Sequence, residues 1–134
     1  MNTLKRCRKL MIRIINETDR RDVLFTRLGA RAIRYQHDLI QISPTDKYTE
    51  ILTEVADLDA NIMKLRIELR RLRMKALDQI DQLTDAKHRY VLWLYYTEWH
   101  RAENGRLKVY TADEISDMIN YSIRHVYRII RYLG

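Results

Sequence analysis

Residues 45–104 contain neither glycine nor proline, and within them apolar side chains recur at alternating spacings of three and four. One core position of this repeat is occupied by Tyr48, Val55, Ile62, Leu69, Ala76 and Leu83, and the other by Ile51, Leu58, Leu65, Leu72 and Gln79. A period of 3.5 residues sustained over this length predicts a long helix that buries a narrow stripe against another helix.

Two partners for this 48–83 seam are consistent with the sequence. Leucine at one core position and valine or isoleucine at the other are typical of parallel dimers, which predicts a homo-oligomer, a dimer or higher, through the seam. An antiparallel hairpin with the N-terminal helices of the same chain is the alternative. Both can hold in a helical oligomer.

Helix breakers are rare throughout the chain, which has three glycines and one proline. An all-β fold needs turn residues at every hairpin, so their scarcity favours an all-α fold. It also excludes the glycine-rich loops that bind nucleotide phosphates. Apolar spacing predicts N-terminal helices over 1–43, with a break near 16–19 and a boundary at Pro44.

The charge distribution favours an acidic partner. The formal net charge is +7 and most of the excess lies in residues 1–43, where the cluster Lys5, Arg6, Arg8, Lys9 and Arg13 is predicted as an auxiliary nucleic-acid contact. The basic residues between 64 and 75 are interpreted as solvated flanks of the coiled coil. The longest apolar run, 91–96, is too short to span a bilayer, so no membrane partner is expected.

Residues 111–133 carry the signals of two short helices joined by a tight turn. Thr111 and Glu114 form a capping box, Asn120 suits the left-handed end of a helix, and Ser122 can cap the next helix. The side chains predicted to face inward are Ile115, Met118 and Ile119 of the first helix and Val126, Ile129 and Ile130 of the second. This pattern predicts a helix-turn-helix unit, whose second helix enters the major groove of DNA.

The predicted DNA contacts follow from the outward face of that second helix. Arginine is the side chain best shaped for bidentate contact with guanine, and Ile123 can touch a thymine methyl group. The predicted DNA-binding residues are Ser122, Ile123, Arg124, His125, Tyr127, Arg128 and Arg131, with Arg106 and Lys108 of the preceding connection. No cofactor or metal is expected, and no enzyme activity, because the four histidines are scattered and no set of catalytic roles can be assembled.

The aromatic residues predict how the C-terminal third folds. Nine of the twelve follow position 89, which predicts a separate C-terminal core. A helix capped by Thr84 or Asp85 is expected to close that core through Tyr90, Val91, Leu94 and Tyr95. Residues 99–110 connect this helix to the two short helices of 111–133 and contain a turn-forming Asn-Gly pair. The pair predicts a small β-ribbon, and the favoured alternative is a solvated connection.

Together these patterns divide the chain into three parts. Residues 1–43 are a basic N-terminal helical region, 44–83 a coiled-coil helix that oligomerises, and 84–134 a helix-turn-helix DNA-binding domain. The single cysteine, Cys7, fits a reducing, cytoplasmic setting.

The C-terminal motifs also resemble a known family. A Leu-Thr-Asp cap at 83–85, Leu-Tyr-Tyr at 94–96, Thr-x-x-Glu-Ile at 111–115 and Tyr-Ser-x-Arg-His-Val-Tyr-Arg at 121–128 stand in this order. This order resembles region four of bacterial sigma factors. It is more similar still to small phage and prophage proteins with a sigma-region-four-like C-terminus, including the ArpU/RinA-type late-gene transcription regulators.

The resemblance covers residues 83–133 and implies a function. It implies sequence-specific binding of double-stranded DNA, control of phage transcription in the cytoplasm of a bacterial host, and contact with RNA polymerase. By position, the base-reading residues of the family fall on Ile123, Arg124 and Arg128, with His125 and Tyr127 nearby. Residue 124 is basic where the sigma pattern has an acid, so promoter preference is not carried over.

Two other functions fit the same sequence. A phage DNA-packaging component, similar to a small terminase subunit, also combines a DNA-binding helical motif with an oligomerising helix, and a ring of many subunits in solution would favour it. A structural coiled-coil adaptor would show no salt-dependent DNA binding.

Overall fold

The computed structural model describes residues 2–37 and 46–134, with side chains described for 2–29 and 48–134. The elements in these residues are α1 (Thr3–His37), α2 (Asp46–Asp81), α3 (Ala86–Thr97), β1 (Trp99–Arg101), β2 (Leu107–Val109), α4 (Ala112–Ile119) and α5 (Ile123–Leu133). The structure is 80% helical, so the prediction of an all-α fold is confirmed. No described helix is long and apolar enough to cross a membrane.

The two longest helices, α1 and α2, form an antiparallel hairpin. Gln79 near the end of α2 donates to Thr3 at the start of α1, over 3.4 Å. Further along, Arg21 Nε lies 2.8 Å from Asp59 Oδ1. The C-terminal end of α2 therefore lies beside the N-terminal end of α1. The predicted boundary at Pro44 lies outside the described residues.

The 48–83 seam packs against α1 of the same chain. Its buried members are Val55, Ile62, Leu65, Leu69, Leu72 and Ala76. Of the two sequence alternatives, the intramolecular hairpin is therefore present, and these side chains are not exposed for a homo-oligomer. At the C-terminal end Gln79 is exposed and Ile80 is buried in its place. A straight α-helix drifts away from a 3.5-residue repeat, which moves the buried face one residue along.

The predicted break near 16–19 is wrong, because α1 runs through it without interruption. Glu17 accepts a hydrogen bond of 2.6 Å from Asn61 of α2 and lies 3.7 Å from Arg13, one turn earlier. Capping residues end a helix only where the backbone leaves it, and here no glycine or proline favours that. Glu17 instead lies at the contact with α2.

Residues 99–110 form the β-ribbon, and the favoured prediction of a solvated connection is wrong. Strands β1 and β2 pair antiparallel, with Trp99 opposite Val109 and Arg101 opposite Leu107. Gly105 has φ +80 and donates to the carbonyl of Ala102 over 2.9 Å. This is a turn closed by a glycine in the left-handed region, which a residue with a Cβ adopts only under strain.

Asp85 caps the N-terminus of helix α3, and its carboxylate accepts from the backbone amides of Lys87 and His88. Its buried residues differ from the predicted stripe. Val91, Leu92, Leu94 and Tyr96 are buried, whereas Tyr90 is 39% exposed and Tyr95 only half-buried. The buried face of α3 therefore differs from a single stripe, because the helix packs against α1 and α2 as well as against α4 and α5.

The predicted separate C-terminal core is also wrong. A single buried cluster joins the first turns of α1, the second half of α2 and helices α3, α4 and α5; from α1 it takes Leu4, Cys7, Leu10, Met11 and Ile14. The helical hairpin and the C-terminal unit therefore share one core.

Candidate nucleic-acid interface

Helix α4 begins with the predicted capping box. Thr111 Oγ1 accepts from the Glu114 backbone amide over 3.3 Å, and Glu114 Oε1 accepts from the Thr111 amide over 3.3 Å. Ile115 is fully buried and Ile119 partly, but Met118 is 50% exposed, so its prediction as an inward residue is wrong. Ser116 is buried instead. Glu114 of this capping box also lies close to His100 and Lys108, which joins the start of α4 to the ribbon.

The turn between α4 and α5 is closed by backbone geometry and by one side chain. Asn120 adopts the left-handed conformation, with φ 58 and ψ 38, as predicted. The backbone amides of Asn120 and Tyr121 both donate to the carbonyl of Ser116. The Ser116 hydroxyl in turn donates to the carbonyl of Tyr121. These bonds satisfy groups that the end of a helix leaves unpaired and set the angle at which α5 leaves.

Ser122 caps the N-terminus of helix α5, and its hydroxyl accepts from the His125 amide over 3.2 Å. Val126 is fully buried, Ile129 is 3% exposed and Ile130 is half-buried, so the predicted inward face is confirmed. This face packs on α3 and α4. Because the inward residues recur every three to four positions, the opposite side of α5 is left exposed along its whole length.

The exposed side of α5 carries a shallow groove of about 550 Å³. It is lined by Ile123, Arg124, Tyr127, Arg128, Arg131 and Tyr132. Five of these six are predicted site residues, and the structure brings them together on one face. The sixth, Tyr132, is 75% exposed and was missed, although its spacing of four from Arg128 could have identified it.

The electrostatics of this face are uniformly positive. Arg124, Arg128 and Arg131 are exposed, and none has an acidic partner among the described residues. The chain has no aspartate or glutamate after Asp117. Arginine stays protonated at any physiological pH, so the face presents three fixed charges with unused hydrogen-bond donors.

A second groove, of about 520 Å³, extends this surface onto α1. Tyr127 and Arg131 line both grooves, and the α1 residues added are Lys5, Arg8, Lys9 and Ile12. The N-terminal basic cluster therefore adjoins α5, and Lys5 and Lys9 are exposed there. We refer to the two grooves together as the α5–α1 face.

Arg8 differs from its basic neighbours because it is tied into the fold. Its guanidinium donates to the backbone carbonyls of Tyr95 and Tyr110, over 2.6 and 3.0 Å, and lies 3.7 Å from the Tyr95 ring centroid. Burial lowers the pKa of Arg8 from its usual value. Arg8 joins α1 to the helix-turn-helix unit rather than presenting its charge to a ligand.

The remaining predicted residues lie apart from the arginines or have structural roles. Ser122 is the cap described above, and His125 is half-buried, with its ring 4.6 Å from that of Tyr121. Lys108 Nζ lies 3.2 Å from Glu114 Oε1. Arg106 lines a different groove, whose other residues are Asp19, Arg20, Val23, Leu24, Arg27 and Glu54. The ribbon therefore packs along α1 and α4.

Among the described residues, no three histidine, cysteine, aspartate or glutamate side chains lie close enough together to hold a metal ion. Comparisons of the chain with protein-family models, curated proteins and solved structures found no match. The candidate interface therefore rests on the positions, exposure and charges of the described residues.

Proposed function

We propose that this chain is a sequence-specific double-stranded DNA-binding protein that acts as a phage-type transcriptional regulator. The observation that carries the proposal is the exposed face of α5, where Arg124, Arg128 and Arg131 have no acidic partner among the described residues. The helix-turn-helix geometry supports it, because this motif lays its second helix in the major groove.

The dimensions of α5 suit that docking. An α-helix with its side chains is about 10–12 Å across, which fits a major groove about 12 Å wide, and the 11 residues of α5 give a length of about 16 Å. The N-terminal end of such a helix meets base edges, which assigns base contacts to Ile123 and Arg124. Arg128, one turn further on, can still reach a guanine, while Arg131 is better placed for phosphate.

The α1 part of the α5–α1 face supports a backbone contact beside the base contacts. Lys5 and Lys9 are exposed on α1 and share a groove with Arg131. A phosphate path that leaves the major groove past Arg131 would pass these two lysines. Contacts of this kind position a protein on DNA without reading its sequence.

Selection of bound fragments from a random duplex pool, followed by footprinting, tests the proposal. We expect an enriched sequence and protection of a short site. Arg124→Ala and Arg128→Ala should each weaken binding to that site by about 1–3 kcal/mol and relax specificity at one position. Fluorescence anisotropy with labelled duplexes measures both effects.

Two matched comparisons separate the assigned roles. The double variant Lys5→Ala, Lys9→Ala should weaken binding by the same factor for all sequences. The dependence of its affinity on salt concentration should correspond to about one to two fewer phosphate contacts. Arg27→Ala removes an exposed α1 arginine about 27 Å from Lys9 along the helix and should change neither quantity. Unchanged binding in the two α5 variants would refute the proposal.

Regulation is tested separately from binding. Transcription from a template that carries the selected site upstream of a reporter should change when the protein is added, and the change should be lost with Arg124→Ala and Arg128→Ala together. DNA binding with unaltered transcription would favour the packaging function.

A further inference from the structure

Helix α2 carries a second apolar stripe that does not face α1. It consists of Leu52, Ala56, Ala60, Met63, Ile67 and Met74, at spacings of four, four, three, four and seven. Met63, Ile67 and Met74 are 66, 69 and 65% exposed, and Leu52 is 43% exposed. At 100° per residue, this stripe lies on the side of α2 opposite the buried seam. We call it the outer stripe.

The outer stripe is continuous enough to be a contact surface. From Leu52 to Met74 it extends about 33 Å along the helix. Single exposed apolar residues are ordinary, but a row at helical spacing marks an interaction site. The only long polar side chain on its midline is Arg70, whose aliphatic stem can pack while its charge stays in water.

Charge is distributed unequally along α2. Residues 46–59 contain five acidic residues and one basic residue, whereas 64–75 contain six basic residues and one acidic residue. Several of these charges are already paired within the chain, such as Glu54 with Arg20 and Arg73 with Glu98. Those that are exposed with no ion pair among the described residues include Glu50, Asp57, Lys64, Arg70, Arg71 and Lys75.

We propose that two copies of this chain associate through their outer stripes, with the α2 helices antiparallel and the two-fold axis near Met63. In this register residue n lies opposite residue 126 − n of the second copy, to within two residues. The pairs brought together are Leu52 with Met74, Ala56 with Arg70, Asp57 with Arg71 and Glu50 with Lys75. The acidic half of each helix therefore faces the basic half of the other.

Charge also selects the antiparallel orientation. A parallel pair in register would place the acidic half of each helix beside the acidic half of the other, and the basic halves likewise, and like charges brought together in this way are destabilising. In the antiparallel pair Lys64, close to the axis, is the charged residue that faces its own copy, and its long side chain can reach water. The contact is isologous, so every favourable pair occurs twice.

The arrangement has a consequence for DNA that rests on the proposed function. Each C-terminal unit packs on the second half of α2, where Arg66 lies over the Trp99 ring and Arg73 pairs with Glu98, so the two units lie on opposite sides of the axis. The dimer would therefore present two α5 helices to two half-sites related by the same two-fold axis.

The mass of the full chain in the absence of DNA tests the association independently of DNA binding. Sedimentation equilibrium should give twice 16.3 kDa. Ile67→Glu and Met63→Glu should each weaken the dimer on the order of 100-fold or more, since each change acts twice. Val23→Glu, at a 44% exposed position of α1, is the matched control and should leave the dimer intact.

Charge exchange tests the orientation. Glu50→Lys with Asp57→Lys, or Arg71→Glu with Lys75→Glu, should each dissociate the dimer, because the pairs of residues 50 with 75 and 57 with 71 then carry like charges. All four changes in one chain should restore it if the helices are antiparallel, and not if they are parallel. Circular dichroism verifies that the variants remain helical.

Three results would overturn the proposal. These are a wild-type monomer at the highest concentration measured, a dimer that survives both glutamate substitutions of the outer stripe, and a four-fold variant that stays monomeric. A failure of DNA binding would affect none of these measurements.

Discussion

Asn120 is a residue whose backbone conformation decides the path of the chain. Its φ of 58 lies in the left-handed region, which asparagine tolerates and glycine prefers. Because the side chain is exposed, substitutions there change backbone strain more than packing.

We therefore expect Asn120→Gly to change the free energy of unfolding by less than about 0.5 kcal/mol, whereas Asn120→Val should lower it by about 1–2 kcal/mol. Urea denaturation followed by circular dichroism measures both variants. Equal stability of the glycine and valine variants would contradict the assigned role of the left-handed turn.

Glu114 is a residue on which three parts of the site converge. It closes the capping box with Thr111, lies 3.2 Å from Lys108 Nζ and 2.9 Å from His100 Nε2. Partial burial opposes ionisation, but the hydrogen bonds from Lys108 and Thr111 outweigh it and lower the pKa of Glu114 below its usual 4.5. When folding lowers the pKa of a carboxyl group, the ionised group stabilises the fold at pH values above its pKa in the unfolded chain. That stabilisation is lost as the pH falls through the pKa in the folded chain.

The Glu114→Gln variant should accordingly be less stable than the wild-type chain at neutral pH. The difference in melting temperature should shrink as the pH falls below 4.5, because the wild-type carboxylate becomes protonated there. Thermal melts between pH 3 and pH 7 measure it, with Glu103→Gln, on the exposed tip of the ribbon, as the control. A difference that is constant over this range would refute the electrostatic interpretation.

At the scale of elements, the heptad seam predicted a long helix, and α2 contains every member of the seam except Leu83, which follows its end at Asp81. The repeat did not predict where the buried face of α2 departs from the 3.5-residue period. The repeat predicts a buried residue at position 79, yet Gln79 is exposed and Ile80 is buried. A period read from sequence assumes a supercoil, and a two-helix hairpin ending in a packed core does not maintain one.

The difference in burial between Gln79 and Ile80 predicts different effects of substitution on stability. Ile80→Ala should lower the free energy of unfolding by about 2–4 kcal/mol, because it leaves a cavity at a 3% exposed site. Gln79→Ala should cost under about 0.5 kcal/mol, since it removes one weak 3.4 Å hydrogen bond at the surface. The reverse order would show that the buried face follows the heptad repeat to its end.

At the scale of the whole molecule, the first turns of α1 complete the core of the C-terminal unit. Cys7 and Ile14 are fully buried there, and burial raises the pKa of the Cys7 thiol to about 11. Arg8 adds two hydrogen bonds to the carbonyls of Tyr95 and Tyr110. The helix-turn-helix unit thus depends on the opposite end of the chain.

A fragment of residues 84–134 should therefore fail to fold alone, although the sequence divides there. We expect low helicity by circular dichroism and no cooperative thermal transition, because the fragment exposes the apolar surface that α1 and α2 cover. The full chain measured under the same conditions is the control. A cooperative transition in the fragment would mean that the shared core is dispensable.

Much of this architecture was determined by local chemistry. The Thr111 capping box, the left-handed Asn120 and the Ser122 cap each act within four residues, so the two helices of the motif and the outward arginines of α5 could be predicted from the sequence. The spacing of apolar residues likewise predicted α2, because helical periodicity is a property of the chain itself.

Only the tertiary structure decided which surfaces meet. The seam could have paired with another copy, and its burial against α1 is a choice between surfaces distant in sequence. The same packing brings Lys5 and Lys9 beside Arg131 and draws Arg8 into the fold, although all three share one basic run. It also holds the ribbon against α1 and α4. Such contacts join residues about a hundred positions apart, and no local periodicity encodes which of several apolar or charged faces will be covered.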